Sequence, residues 1–436
     1  MLRQLIISGF VVSSLKFGNA LLSMAITILL TRHIGAEGFG IYAYAITALA
    51  IAIVPMGRGW GLMIIRTASA SLYNEAWKEP KGMAKFGKWP AILISTLFIV
   101  LGLLIGFQLD FFQSGQIGPI IMLLLGSTLL FDQMSAIRVA SIRSFEKPQL
   151  AQIPDQLAKP FMIIIGIVLA LNFMETKLNV FHVFLIVSIA ACLNYIIGSI
   201  MMTRLSPKSL TTATATPFKT DWLKKSLLLA GGPALIVLNN YTDILMLGLF
   251  LEPKDIGLYK VAAQVAIFAG LGYTALNFIA AQKIALLKEQ GSRHTLQKYV
   301  TLLSRLAVLT VIPVPIILYL FGDQLIAFVF GPDFSAALYP MIILAFLQLI
   351  SASFGMCNIM LVMHGYEKLI IRYTAICLIA NIVLCAILIP AYGIIGAACS
   401  NLIATSLWNF LLWFTVLRKV KIDTGLLGLH FSTKAA

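Results

Sequence analysis

Eight ionisable side chains stand out within the apolar stretches of this 436-residue chain. An ionisable group at the centre of a bilayer costs at least about 2.5–3.5 kcal/mol, so each of them is a functional candidate by default. We predict that five cations bind an anionic substrate: Arg58, Lys16, Lys159, Arg138 and Lys260. We predict that three carboxylates take part in ion coupling: Asp243, Asp132 and Asp155.

Arg58 lies in the segment PMGRGWG at positions 55–61. The proline and glycines should disrupt a helix and expose backbone groups, which a membrane tolerates only inside protein or beside a water-filled cavity. A guanidinium in such a cavity would bind phosphate in two-pronged fashion. The alternative is a structural role in which Arg58 pairs with an acid.

Lys16 lies inside the first apolar span, and Ser13, Ser23 and Thr27 follow helical spacing with it. One face of that helix is therefore polar and should line the cavity. Alternatively, the long stem of Lys16 carries its ammonium group to the inner surface of the membrane.

The remaining candidates have competing interpretations. Asp155 and Lys159 stand four residues apart, a spacing at which they would form an ion pair within one helix. The alternative is that both are functional groups. Lys260 binds substrate or only reaches the outer surface. Asp243 carries a proton or binds a sodium ion, or it pairs with a Lys or Arg of the other half. No other cofactor is predicted.

The composition defines the class of protein that must position these residues. Hydrophobic residues make up 60% of the chain and charged residues 11%, whereas soluble domains carry roughly 25% charged residues. Segments of about 20 apolar residues recur along the chain and must be helices, because lipid offers no partner for backbone groups. We predict an all-α integral membrane protein whose twelve spans cover 7–31, 38–65, 89–109, 117–142, 148–172, 180–203, 224–250, 256–285, 297–321, 334–363, 368–389 and 393–417.

The net charge of +15 comes from Lys and Arg in alternate connecting loops. This is the bias of cytoplasmic loops, so both termini are predicted in the cytoplasm. The sequence has no basic stripe with stacking aromatic residues, so the positive charge does not indicate nucleic-acid binding. The first span is too long for a signal-peptide core and should remain attached. The five cysteines lie in apolar runs without metal-ligand spacing and are interpreted as buried thiols.

An internal repeat divides the chain in two. Gly40 and Tyr42 stand 217 positions before Gly257 and Tyr259. With six spans in each half, the copies are parallel repeats that should form a V-shaped cavity between two lobes. The predicted domains are an N-terminal lobe at 1–205, a flexible cytoplasmic linker at 206–222, a C-terminal lobe at 223–417 and a cytoplasmic tail at 418–436. The amphipathic stretch 67–88, broken at Pro80, should lie on the inner membrane surface.

Enzyme signatures are missing from the sequence. There is no Walker A loop and no HExxH motif, and the glycine-rich GAEGFG at 35–40 stands between two membrane spans. We therefore predict no enzyme activity, no catalytic residue and no metal site.

Three motifs carry a resemblance to a known family: TRHIGAEGFGIYAYA, TDILMLGLFLEPKDIGLYKVAAQ and YGIIGAACSNLIAT, in that order. With them the whole chain resembles the polysaccharide transporter (oligosaccharide flippase) family of the multidrug/oligosaccharidyl-lipid/polysaccharide exporter superfamily. The resemblance implies a bacterial inner-membrane flippase for undecaprenyl-pyrophosphate-linked oligosaccharide units, which feeds lipopolysaccharide O-antigen, capsule or exopolysaccharide assembly.

The resemblance also implies the partners and the mode of action. The partners would be the lipid-linked oligosaccharide, membrane lipids and polysaccharide polymerase or assembly proteins. Cationic cavity residues, matched here by the placement of Lys16 and Arg58, would hold the pyrophosphate headgroup, and a proton or sodium gradient would drive antiport by alternating access. The alternatives are a drug/cation antiporter, which would need an acidic cavity, a non-transporting scaffold of a synthesis complex, and a polymerase, which the short outer loops disfavour.

Overall fold

The computed structural model describes residues 2–74, 77–109, 118–145, 147–173 and 177–428, and these ranges contain helices and no strand. The expected all-α class is confirmed. Five charged residues of the predicted loops and tail lie outside the described residues: Glu75, Asp110, Glu146, Glu175 and Lys434.

One compact unit comprises residues 14–34 and 42–237. Its chain forms parts of the first and the tenth helix and all of the eight helices between them. The bounds are α1 Leu2–Ala52, α2 Gly61–Asn74, α3 Lys78–Phe86, α4 Lys88–Leu109, α5 Gly118–Ser144, α6 Pro148–Ile153, α7 Lys159–Phe173, α8 Val180–Leu205, α9 Lys208–Thr212 and α10 Thr220–Phe250. Two π-helical segments, Val54–Trp60 and Pro154–Ala158, join α1 to α2 and α6 to α7.

The other compact unit comprises residues 1–13, 35–41 and 238–436. After α10 its helices are α11 Pro253–Ala269, α12 Leu271–Glu289, α13 Arg293–Val311, α14 Pro313–Val329, α15 Leu338–Phe354, α16 Cys357–Met363 and α17 Glu367–Lys419. A short 3₁₀ segment, Pro332–Ala337, precedes α15.

Backbone breaks account for the number of spans. Within the described residues, nine helical stretches are long and apolar enough to cross a membrane, and some of them join two of the helices named above, such as Arg293–Val329 with α13 and α14. The pair α11 and α12, bent by 46°, forms a tenth candidate. Two of the nine contain a residue with non-helical backbone angles, Gly35 in α1 and Gly393 in α17. Dividing both helices at these glycines gives twelve spans, as the sequence predicts. Both glycines have positive φ, a conformation in which a β-carbon would be strained.

The stretch interpreted as a flexible linker, 206–222, is mostly exposed but has local structure and contacts to α3. It contains α9, whose Leu210 is buried. The ammonium group of Lys81 donates hydrogen bonds to the carbonyl oxygens of Thr211 and Ala213, at 2.6 and 2.8 Å. Pro80 does not break the amphipathic stretch, because it lies in the first turn of α3, where its missing N–H has no helical acceptor to lose.

The chain after α17, predicted as a cytoplasmic tail, has two buried polar residues. Asp423 and Thr424 are 2% and 0% exposed. They pack against α13, because Gln297 and Ser304 hydrogen-bond to their backbones. A polar segment is buried here because its backbone groups find protein partners in place of water.

Candidate functional site

An ion pair with a buried arginine and a 33% exposed aspartate connects α5, the π-helical segment 154–158 and α8 in the first unit. Nη2 of Arg138 in α5 lies 2.8 Å from Oδ1 of Asp155, and its Nη1 donates to the carbonyl oxygen of Asn194 in α8 at 2.9 Å. The amide of Asn194 donates to the same Asp155 oxygen at 2.7 Å. Arg138 is only 3% exposed, so its guanidinium serves the protein interior. The geometry leaves it little capacity to bind a substrate.

A glycine makes room for this arginine. A β-carbon at position 198 of α8 would stand 1.7 Å from Nη1 of Arg138. Only glycine fits there without moving the guanidinium. The Nε of Arg138 and the Oδ1 of Asn194 are buried and have no hydrogen-bond partner among the described residues.

A second ion pair lies beside the first. The ammonium group of Lys159 in α7 contacts Oδ1 of Asp132 in α5 at 2.5 Å, and the two side chains are 19% and 24% exposed. The pair within one helix, Asp155 with Lys159, is not formed. Each side chain has a partner on another helix instead: Asp155 accepts from Arg138 and Asn194, and Lys159 donates to Asp132.

Two predicted cations have no compensating charge. Lys16 and Arg58 are both exposed. Among the described residues, neither makes a hydrogen bond or an ion pair, so the alternative in which Arg58 pairs with an acid is not observed. Of the five predicted cations, Lys16 and Arg58 are the exposed ones, and in the part of the chain described here neither contacts an acid.

The segment around Arg58 is a π-helix. Trp60 is fully buried and its indole N–H donates to the carbonyl oxygen of Met83 at 3.1 Å. The hydroxyl of Ser226 in α10 donates to the carbonyl oxygen of Pro55 at 3.2 Å. The α-helix is therefore interrupted at this segment, and the carbonyl oxygen of Pro55 has a partner on α10.

The second unit holds a buried carboxylate, Asp243, that attracts Lys260 electrostatically but has no Lys or Arg within 4 Å among the described residues. Asp243 in α10 is 3% exposed and accepts hydrogen bonds from the phenol of Tyr259 in α11 and from the amide of Asn401 in α17, the latter at 3.0 Å. The backbone N–H of Ile244 donates to its other oxygen at 3.1 Å. No Lys or Arg among the described residues forms an ion pair with it, so the alternative of pairing with a cation is not observed.

Lys260, one residue after Tyr259, lies over the ring of Tyr241 with its ammonium group 5.8 Å from the ring centre. A cation over an aromatic face is attracted by the ring quadrupole. Lys260 is half-buried, and this contact holds it against α10.

Three residues of these clusters were missed from sequence: Asn194, Tyr259 and Asn401. The two asparagines are amides within apolar spans, a signal that a search restricted to charged residues overlooks. Tyr259 was recognised only as part of the repeat. The family motifs carry the better signal, since Asp243 and Tyr259 belong to the second motif and Asn401 to the third.

The fold and these clusters define a multi-pass, all-helical membrane protein with charged and polar side chains held inside its spans. A family model described as "Polysaccharide biosynthesis protein" matches residues 6–280. The chain belongs to this family, which confirms the resemblance drawn from its motifs.

A curated relative is the "Probable low-salt glycan biosynthesis flippase Agl15" of Haloferax volcanii. It is 26% identical over 159 residues, which cover 36% of this chain and 34% of that protein. The match therefore spans about a third of the relative's length.

Two solved structures share the fold. One is the inward-facing conformation of a multidrug resistance MATE family transporter of the MOP superfamily, with a TM-score of 0.72, 11% identity and coverage of 92% of this chain and 96% of that one. The other is lipid II flippase MurJ in an inward closed conformation, with a TM-score of 0.65, 18% identity and coverage of 93% and 87%.

Proposed function

We propose that this protein is a flippase that moves lipid-linked oligosaccharides across a membrane. Membership of the polysaccharide biosynthesis family and the flippase relative in Haloferax volcanii support the assignment. The observation that carries it to particular residues is that Lys16 and Arg58 are exposed without an acidic partner among the described residues. A phosphate headgroup supplies the charge that these cations lack.

The substrate class follows from the charge at these positions. A cation held in an apolar chain needs an anion or water, and a lipid-linked sugar carries its negative charge on the phosphates that join sugar to lipid. In the proposed cycle, Arg58 and Lys16 hold those phosphates while the lipid tail stays in the bilayer. A drug cation would meet repulsion at the same two residues.

Ion coupling is assigned to Asp243. A carboxylate surrounded by a phenol, an amide and a backbone N–H, with no Lys or Arg within 4 Å in the described chain, can take up a proton or a sodium ion. Asp132 and Asp155 already neutralise Lys159 and Arg138, so they are weaker candidates. One charge that crosses the membrane field changes the free energy of a cycle by roughly 2.3 kcal/mol per 100 mV.

The finer proposal concerns the cell. We place the protein in a bacterial inner membrane with both termini in the cytoplasm and undecaprenyl pyrophosphate as the lipid carrier. The product would serve O-antigen, capsule or exopolysaccharide assembly beside a polymerase, and the transport would be ion-coupled alternating access. The loop charges and the resemblance of the motifs support this placement.

The test uses purified protein in vesicles that carry a fluorescent undecaprenyl-pyrophosphate oligosaccharide in the inner leaflet. Arg58→Ala removes a charge-assisted contact of about 1.5–3 kcal/mol and should slow transport by about ten- to hundredfold. Arg58→Lys should retain part of the rate, and Lys208→Ala, which changes an exposed cation of α9, should retain all of it. A wild-type rate in Arg58→Ala at equal protein amounts would sink the phosphate-binding role. Transport of organic cations in place of the lipid would favour the antiporter.

A further inference from the structure

The chain beyond the last helix is the least expected feature of the second unit. We call residues 422–426 the strap. Its first three residues, Ile422, Asp423 and Thr424, are at most 3% exposed. A basic, polar chain end is ordinarily solvated, so burial of an acid and a threonine there requires partners that match them.

The strap is bound through its backbone. The side-chain amide of Gln297 in α13 donates to the carbonyl oxygen of Asp423 at 2.6 Å, and its oxygen accepts the Asp423 N–H at 2.9 Å. The hydroxyl of Ser304, two turns along α13, donates to the carbonyl oxygen of Thr424 at 2.7 Å. These side chains thus satisfy backbone N–H and C=O groups of the strap, which has no helical or strand partner of its own.

The acid of the strap fastens it to α17. One carboxylate oxygen of Asp423 accepts the indole N–H of Trp413 and the backbone N–H of Gly425, both at 2.8 Å. Val420 and Ile422 enter one hydrophobic cluster with side chains of α12, α13, α16 and α17. The strap therefore contacts several helices that are distant from one another in sequence.

The strap meets a break in a predicted span. The sequence predicts one helix over 334–363, but the structure ends α15 at Phe354 and starts α16 at Cys357. Gly355 between them has φ of 74°, and a β-carbon there would stand 2.0 Å from the carbonyl oxygen of Thr424. The glycine thus provides both the turn and the space for the strap.

The break leaves three carbonyl oxygens that helical bonds no longer serve, and each has a donor. The N–H of Leu426 donates to Ser353 at 2.9 Å, the hydroxyl of Thr424 donates to Phe354 at 2.9 Å, and the phenol of Tyr273 donates to Gly355 at 3.0 Å. Irregular backbone at membrane depth is tolerated only when protein satisfies it in this way. Two of the three donors belong to the strap.

We propose that the strap is a permanent brace that closes the break between α15 and α16 and makes the adjoining ends of α13, α16 and α17 move as one body. Its transport consequence rests on the proposed flippase function, whereas its structural consequence does not. A brace of this kind keeps the kinked span from bending independently when the protein changes conformation.

Cys357 reports on the strap directly. Its sulfur lies 2.8 Å from the hydroxyl oxygen of Thr424, and its side chain is 2% exposed. The experiment uses full-length protein in membranes with the other four cysteines changed to alanine, and it measures the rate at which a methanethiosulfonate reagent labels Cys357. No substrate is needed, so an error in the substrate assignment leaves this readout intact.

Labelling should be slow in the parent and at least tenfold faster in Thr424→Val and in Gly355→Ala. The first variant removes a donor to the break, and the second drives the strap out by overlap. Leu427→Ala, which truncates a 75% exposed neighbour just beyond the strap, should label at the parent rate. Equal labelling rates in all four proteins would overturn the brace.

A cross-link separates a permanent brace from a strap that must leave. Thr424→Cys, oxidised in vesicles, should form a disulfide with Cys357 that mass spectrometry detects after proteolysis. A permanent brace predicts that lipid transport stays within twofold of the reduced sample. Transport that stops on oxidation and returns on reduction, or a disulfide that does not form, would contradict the proposal.

Discussion

Gly40 and Gly257 pack against each other as equivalent residues of the two sequence copies. A β-carbon on Gly40 would stand 1.6 Å from the carbonyl oxygen of Pro253, and one on Gly257 would stand 2.2 Å from that of Ala36. Ala36 and Pro253 are separated by the same 217 positions as the two glycines. Each glycine therefore faces the carbonyl group four residues before the other glycine, so the contact is the same from both copies. All four residues lie within one compact unit.

Gly40→Ala and Gly257→Ala should each destabilise the protein by about 1–3 kcal/mol, because the added methyl group overlaps a backbone carbonyl that cannot rotate away. The measurement is the thermal midpoint of unfolding in detergent. Gly231→Ala is the matched control, since nothing lies within 4 Å of its β-carbon position, and it should be neutral or slightly stabilising. Equal midpoints for all three variants would contradict the close approach.

Gly198→Ala should act through Arg138. The new methyl group displaces the guanidinium from Asp155 and Asn194, and loss of a buried pair costs about 3–5 kcal/mol. The loss should shrink strongly when Gly198→Ala is made in an Arg138→Met background, because no guanidinium then needs the space. A double-mutant cycle measures this coupling. Additive losses in the cycle would mean that Gly198 serves another purpose.

The two ion pairs should differ in their contribution to stability. Asp155→Asn leaves a cation that is 3% exposed without its charge partner, whereas Asp132→Asn leaves Lys159, which is 19% exposed. The first substitution should cost several kcal/mol and the second about 1 kcal/mol or less, because water can solvate the freed ammonium group. Chemical denaturation in mixed micelles compares them. A larger cost for Asp132→Asn would reverse this order.

Asp243→Asn should uncouple transport from the ion gradient. The amide keeps hydrogen-bonding capacity toward Tyr259 and Asn401 but cannot change charge. We expect vesicle transport that responds to imposed proton or sodium gradients in the wild type and no longer does so in the variant. Asp333→Asn, at an exposed acid, is the control and should keep the response. A gradient response that survives in Asp243→Asn would remove this residue from coupling.

Tyr259→Phe tests the contribution of a hydrogen-bond donor to the Asp243 carboxylate. It removes one donor to Asp243 while keeping the ring, which is 0% exposed. A hydrogen bond to a charged group contributes about 1.5–3 kcal/mol, so the ion concentration for half-maximal stimulation should shift by about tenfold. Tyr42→Phe, at the equivalent position of the first copy, should leave that concentration unchanged.

The helices and the class of protein could be read from the sequence, because runs of about 20 apolar residues have one solution in lipid. The partners of the charges could not. Asp155 and Lys159 have helical spacing, but their partners are Arg138 and Asn194 for the acid and Asp132 for the lysine, which lie on other helices. Arg138 finds its acceptors on α6–α7 and α8, whose approach depends on Gly198 at a distance of 60 residues along the chain.

The strap was missed for a related reason. Composition predicts how a segment behaves when it is alone in water, and residues 422–426 read as solvated on that basis. Their burial depends on Gln297, Ser304 and the break at Gly355, none of which is adjacent in sequence. Local propensity and tertiary context disagree here, and tertiary context decides the outcome.

The position of the strap in the sequence fixes when its contacts can form during synthesis. Residues 422–426 leave the ribosome after every helix they hold, and 69 residues separate Gly355 from Thr424. At about 5–20 residues per second, the carbonyl groups of Ser353 and Phe354 wait roughly 3–14 s for their donors in the strap. During that interval the span 334–363 is synthesised but two of its backbone carbonyl groups still lack the partners that the finished protein gives them.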